Sequence, residues 1–305
     1  MPSSIPVSVA EPDAAAIVAG AAAAPARPAR HLRRQLWRRK TAVLGLGLAA
    51  VVLVGALLAP WLAPDDPLAM GPRRFAAPSA TAWLGTDQFG RDLLSRLLYG
   101  ARVSMAVAFA AVGLAMVIGG TIGLCAGYVG GRVDLLLMRG VDVLMAFPTL
   151  LLALAVVATL GGSIRNLVLA VTLAYIPIFS RVIRGSALSV KQNDFVEASR
   201  ALGSGDWRIM LRAVLPNVLA PIIVQATFNL STAIMIEAAL SFLGLGVQPP
   251  APSWGNMLSE ARSFMELDPW LALAPGGAIT LAVLGFNLFG DGLRDILDPR
   301  LTGEG

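Results

Sequence analysis

Asn229, Ser231, Thr232, Glu237 and Asn287 are polar side chains set in long apolar runs of this 305-residue chain. A carboxylate in hydrocarbon is costly unless it meets a cation. Glu237 therefore has two uses: a counter-charge for an ammonium group or cation crossing a membrane, or a structural partner for an arginine such as Arg262. Asn229, Ser231, Thr232 and Asn287 supply hydrogen bonds that either line a path or join neighbouring helices. Asp87, Arg91 and Asp92 form a second group, in a polar segment, where they pair locally or present charge to a soluble protein. Trp254 follows the proline-rich stretch "QPPAPS". It can anchor a docked protein or sit in the aromatic belt of a membrane interface.

Other chemistries lack their residues. The single histidine, His31, lies in a basic arm, and the single cysteine, Cys125, excludes an internal disulfide or thiolate metal cluster. There is no G-x-x-x-x-G-K-[ST] phosphate loop and no HExxH, and the Gly-Leu-Gly triplets at 45–47 and 244–246 lie in or beside apolar runs. The sequence predicts no metal site, no cofactor and no catalysis within the chain; any energy source must lie on another polypeptide, or be an ion gradient.

The elements that place these residues are membrane spans. Hydrophobic residues make up 56% of the chain and charged residues 14%, against about 25% charged in soluble domains. Five charge-free windows are long enough for the roughly 20 residues that cross a bilayer: Thr41–Ala63, Val103–Gly131, Val143–Ile164, Ala213–Ile236 and Pro269–Gly290. A sixth, Asn166–Ser180, is lengthened by Arg165, Arg181 and Arg184 snorkelling at its ends. Six spans with both termini cytoplasmic put most of the Lys and Arg on the inside. The pI near 10 is thus a topology signal rather than a nucleic-acid one. Gly113, Gly119, Gly120, Gly123 and Gly127 predict close helix packing in the second span, and Pro148 and Pro177 predict kinks in the third and fourth. Glu237 lies 21 residues past Pro216, or about 30 Å of helix, near the outer interface. The Ala/Pro/Arg-rich arm at 1–34 is expected to be disordered, 35–100 to hold the first span and an outside loop, 101–301 the five remaining spans, and 302–305 a tail.

Between the fourth and fifth spans lies "DFVEASRALGSGDWRIMLRAVLPN", residues 194–217. It predicts two short amphipathic helices on the cytoplasmic side, with stripes Phe195, Ala198, Ser199, Leu202 and Trp207, Met210, Leu211, Val214. Gly203 ends the first as a left-handed cap, Ser204 or Asp206 caps the second, and Pro216 opens the fifth span.

Glu197-Ala198-Ser199, then Gly203, then Leu215-Pro216 resembles the EAA loop of ATP-binding-cassette importer permeases, with Ser199 where a second alanine is usual. "WLGTDQFGRDLLSRLLYGARVS", "GYVGGRVDLLLMRGVDVLMAFPTLLLAL", "EAALSFLGLGVQPPAPSWGNML" and "GDGLRDILDPRL" are similar to the dipeptide, oligopeptide and nickel branch, in particular its C-type subunit. The resemblance covers residues 35–301. It implies a type I permease fold in the bacterial cytoplasmic membrane, and a non-catalytic subunit that imports short peptides, or nickel chelates or another small solute, by alternating access. The partners it implies are a second homologous permease, two ATPases that use ATP and Mg, an extracytoplasmic binding protein and membrane lipid. It makes Glu197, Ala198, Ser199, Arg200, Gly203, Asp206, Leu215 and Pro216 the coupling element. A self-sufficient ion-driven transporter is the contrasting reading; the charge-free windows and unlike halves argue against it.

Overall fold

The computed structural model describes residues 39–297. The arm assigned to 1–34 and the tail at 302–305 lie outside the described residues. Every regular element described is helical: α1 Lys40–Leu57, α2 Ala59–Leu62, α3 Leu93–Val129, α4 Gly131–Met145, α5 Thr149–Leu160, α6 Ile164–Lys191, α7 Asp194–Ala201, α8 Asp206–Ile209, α9 Leu215–Phe242, α10 Trp254–Ala261 and α11 Trp270–Leu297. Helices are what a chain in hydrocarbon requires, because each backbone N–H and C=O must be satisfied within the segment. Five stretches are long and apolar enough to cross a membrane, and α4 with α5 makes a sixth if they count as one broken span.

Two differences from the expected spans have local causes. The window Val143–Ile164 is not one kinked helix: α4 ends at Met145, α5 starts at Thr149, and the two are bent by 83°. Pro148 cannot donate, and its ring disfavours helical backbone at Phe147, so the helix stops and restarts. Pro177, by contrast, is absorbed inside α6. The short window Asn166–Ser180 belongs to a 28-residue helix, α6, with the largest buried share of any span, 56%. Its last turns carry Arg181 and Arg184, which pair with Asp142 and Asp134 of α4.

The core is a seam between α3 and α6. Asp92 starts α3 by accepting a hydrogen bond from the Ser95 N–H at 2.7 Å. The 37 residues that follow make a rod of about 55 Å. Gly119, Gly123 and Gly127 recur on one face of it and lie against the backbone of α6: a Cβ at Gly119 would stand 2.6 Å from the Ile176 carbonyl oxygen, and one at Gly127 2.8 Å from that of Arg184. Small residues at i, i+4, i+8 let helices approach closely where lipid offers no hydrophobic drive to association. A similar contact joins α11 to α1, with Gly285 against Ala49 and Gly292 against Ala42.

Alanine normally improves on glycine in a helix by about 0.5–1 kcal/mol. We expect that sign at Gly113, where a Cβ meets nothing within 4 Å. At Gly123, whose Cβ would strike the Ser180 carbonyl, Gly123→Ala should instead destabilise by about 1–3 kcal/mol. Thermal unfolding of the two purified variants in detergent separates the signs.

Candidate functional site

The segment between α6 and α9 is built from local rules. Asp194 and Glu197 occupy the first turn of α7, where negative charge suits the helix N-terminus, and Arg200 the last. Gly203 has φ +79°, the left-handed backbone expected of it. Ser204 N–H donates to the Ser199 carbonyl and Gly203 N–H to that of Arg200, a Schellman closure of the helix. The apolar stripe of α7 points away from the bundle. The chain itself buries Val196, whereas Phe195 and Ala198 are exposed and Leu202 is 86% exposed. Nothing in the described chain covers that apolar edge.

The second half differs more. Neither Ser204 nor Asp206 caps α8; its N-cap is Gly205, without a side-chain bond. Asp206 instead accepts from the Tyr128 hydroxyl at 2.7 Å, and Arg200 stands 4.0 Å from the same carboxylate. Lys191 Nζ donates to the Tyr128 carbonyl at 2.5 Å. Tyr128, at the end of α3, thus holds the loop at its entry and near its middle, and no motif spacing marks it. There is no separate second helix: a π turn, Met210–Val214, joins α8 to α9. The Leu215 N–H reaches back to the Met210 carbonyl, and Pro216 sits in the first turn of α9. Ile209, Met210 and Val214 are buried, whereas Trp207 is 68% exposed beside the loop.

At the other end of the bundle, Asp87, Arg91 and Asp92 turn inward, so the local-pairing alternative holds. Arg91 bridges Asp87 at 2.6 Å and Glu260 at 2.7 Å; Arg96 bridges the same two at 3.5 and 3.0 Å. Gln88 also donates to Glu260 at 3.1 Å. The sequence reading missed Arg96 and Glu260; an arginine one turn into an apolar helix was the available signal. Trp254 must be corrected. It is 1% exposed, its indole N–H donates to the Leu97 carbonyl at 3.1 Å, and it begins α10 behind the Ser253 cap. Its ring is neither a docking surface nor a belt residue, because the indole N–H finds its acceptor within the bundle.

Glu237 is likewise buried, one turn before Ser241, whose hydroxyl donates to it at 2.8 Å. Arg262 is exposed and makes no ion pair among the described residues, so the pairing expected with it is absent. Ser231 donates to Asn287 at 2.7 Å, tying α9 to α11, and the Tyr175 hydroxyl donates to Thr232 at 2.8 Å, tying α6 to α9. Asn229 accepts from Gln225 at 3.0 Å.

A bundle of five or six long apolar helices, with a partly apolar loop at one end and a buried ion-paired cluster at the other, is the architecture of a multi-pass membrane protein. The sequence comparisons give the family. Residues 119–303 match the model for the binding-protein-dependent transport system inner membrane component, and residues 28–78 that for the N-terminal transmembrane domain of oligopeptide transport permease C. The chain belongs to this permease family. It is 46% identical over 90% of both chains to a dipeptide transport system permease protein of Alkalihalophilus pseudofirmus. It is 44% identical to a di/tripeptide transport system permease protein of Pseudomonas aeruginosa, covering 90% of this chain and 93% of that one. It is 45% identical to a glutathione transport system permease protein of Pectobacterium atrosepticum, covering 88% and 91%.

The two kinds of ion pair differ in cost. Removing one partner of a buried pair costs about 3–5 kcal/mol, discounted here because Glu260 is partly solvated. Arg91→Ala should therefore destabilise by about 3 kcal/mol. Arg181, with its side chain 53% exposed in its pair with Asp142, should cost less than about 1 kcal/mol when replaced by alanine. Denaturant unfolding in lipid nanodiscs checks both.

Proposed function

We propose that the chain is a translocation subunit of an ATP-driven importer of short peptides, working with a second permease, two cytoplasmic ATPases and an extracytoplasmic binding protein. The single observation that supports this most is the exposed apolar edge Phe195, Leu202 and Trp207 on a loop otherwise locked by hydrogen bonds. A rigid element with an uncovered apolar edge is suited to seat in a groove of a partner and pass on its movement. In this reading both termini and residues 194–217 face the cytoplasm. Glu197, Ala198, Ser199, Arg200 and Gly203 form the docked segment, and Asp206, Leu215 and Pro216 join it to α9.

ATP and Mg act on the ATPases; this chain supplies no catalytic group. Closure of the ATPase pair pushes the loop, and 101–301 moves as the permease core, alternately opening to either side. Peptide is the substrate class that the relatives' names carry, and a nickel chelate is the alternative within the same machinery. The bundle's other end, braced by Asp87, Arg91, Asp92 and Trp254, receives the binding protein on the surface these buried residues support.

Because Leu202 is almost fully exposed, Leu202→Glu should leave the chain folded. In the assembled transporter it should lower ATP-coupled peptide uptake at least tenfold while membrane abundance is unchanged. Uptake and ATP hydrolysis in proteoliposomes measure this; peptide uptake that ignores ATP and follows an ion gradient would overturn the reading.

A further inference from the structure

A cavity of about 450 Å³ opens between α6, α9 and α11, within the usual range for small-molecule sites. It lies where α6 ends, α9 begins and α11 ends, which is the loop side of the bundle. Val182, Pro221, Val224 and Phe228 make its wall mainly apolar, and Gln225 and Arg294 are the polar side chains in that wall. We propose that this cavity holds a short peptide by its C-terminal end, with Arg294 pairing the terminal carboxylate and the Gln225 amide pairing the peptide backbone. The proposal rests on the peptide-import reading and adds the residues that grip the substrate.

Three observations carry it. Gln225, Asn229 and Thr232 share one face of α9 at i, i+4, i+7 spacing, linked by the Gln225–Asn229 bond and continued by Tyr175. Asn229 is 4% exposed, and its side-chain nitrogen has no acceptor among the described residues. Asn229 lies outside the cavity wall, one turn beyond Gln225, and its side-chain oxygen fixes the Gln225 amide that does line it. Third, Arg294 is exposed at the wall and makes no ion pair among the described residues, whereas the neighbouring Asp295 is engaged by Arg39. A guanidinium matches a carboxylate with two parallel hydrogen bonds. An acyl chain fits the arrangement badly, because it offers no partner to the Gln225 amide or the Arg294 guanidinium in the wall. The apolar wall tolerates varied side chains, so selection falls on the free carboxylate.

The test uses the complete transporter in liposomes, with Val224→Cys as reporter in a Cys125→Ser background and alkylation by N-ethylmaleimide as readout. Trialanine should slow alkylation several-fold, and trialanine amide, which lacks the carboxylate, should not. Protection should survive Arg294→Lys and vanish in Arg294→Gln, a distinction that a merely structural role for the residue does not produce. Equal rates with the acid and the amide overturn the proposal, as does slowing by added phosphatidylglycerol instead of peptide. A cysteine unreactive without peptide also overturns it, since the cavity is then not open. Trialanine uptake by the unaltered transporter is measured alongside: if uptake is present without protection, only the cavity assignment fails. If uptake is absent, the import reading itself fails.

Discussion

Along the seam between α3 and α6 the backbones are separated by little more than hydrogen atoms at Gly119, Gly123 and Gly127, and the rest of the bundle is referenced to that contact. Water cannot drive helices together inside a bilayer, so their relative position is set by how closely they can fit and by what polar groups they exchange. Once α6 is seated on α3, Arg184 and Arg181 point to α4, Tyr175 reaches α9, and Val182 faces the cavity. The same α3 extends beyond the seam in both directions. Tyr128 at one end holds the loop, while Arg96 and Ser104 at the other hold α10 and its surroundings.

The polar groups divide by the medium they face. At the capped end, Arg91 and Arg96 are almost wholly withdrawn from solvent, so they are tolerable only because Asp87 and Glu260 each serve both. That shared arrangement ties the segment before α3 to α10 across more than 160 positions of sequence. The α4–α6 pairs are more open to water and contribute less to stability. They fix where an amphipathic helix rests, a task that needs little energy because α4 already presents one apolar and one charged side.

Much of this was legible from residue spacing. Charge-free length located α1, α3, α9 and α11, Gly203 announced a left-handed cap, and the glycines of α3 announced a seam, because each follows from geometry within one helix or turn. What was not legible depended on which face a neighbour covers. The stripe through Phe195 and Leu202 could be read from its spacing, but that the bundle covers Val196 and leaves the stripe exposed could not. Trp254 read as an outward anchor because prolines precede it; its burial needed the Leu97 carbonyl, on a helix some 150 residues earlier. Tyr128 and Glu260 have ordinary neighbours in sequence, and only the fold assembles their partners.

The loop and the cavity share walls, and this constrains how one acts on the other. Val182 lies nine residues before Lys191 on α6, and Gln225 nine residues after Pro216 on α9. Each is therefore about 14 Å of helix from the loop. The loop cannot absorb a push by bending at α7, whose C-terminus is closed by its own hydrogen bonds, nor at Asp206, which Tyr128 holds. The joint left is the π turn at Met210–Val214, where the Leu215 N–H spans five residues and the following proline donates nothing. In the proposed coupling, a displacement there would turn α9 about its first residues and carry Gln225 relative to Val182, the relative motion that opening and closing a site between those helices requires.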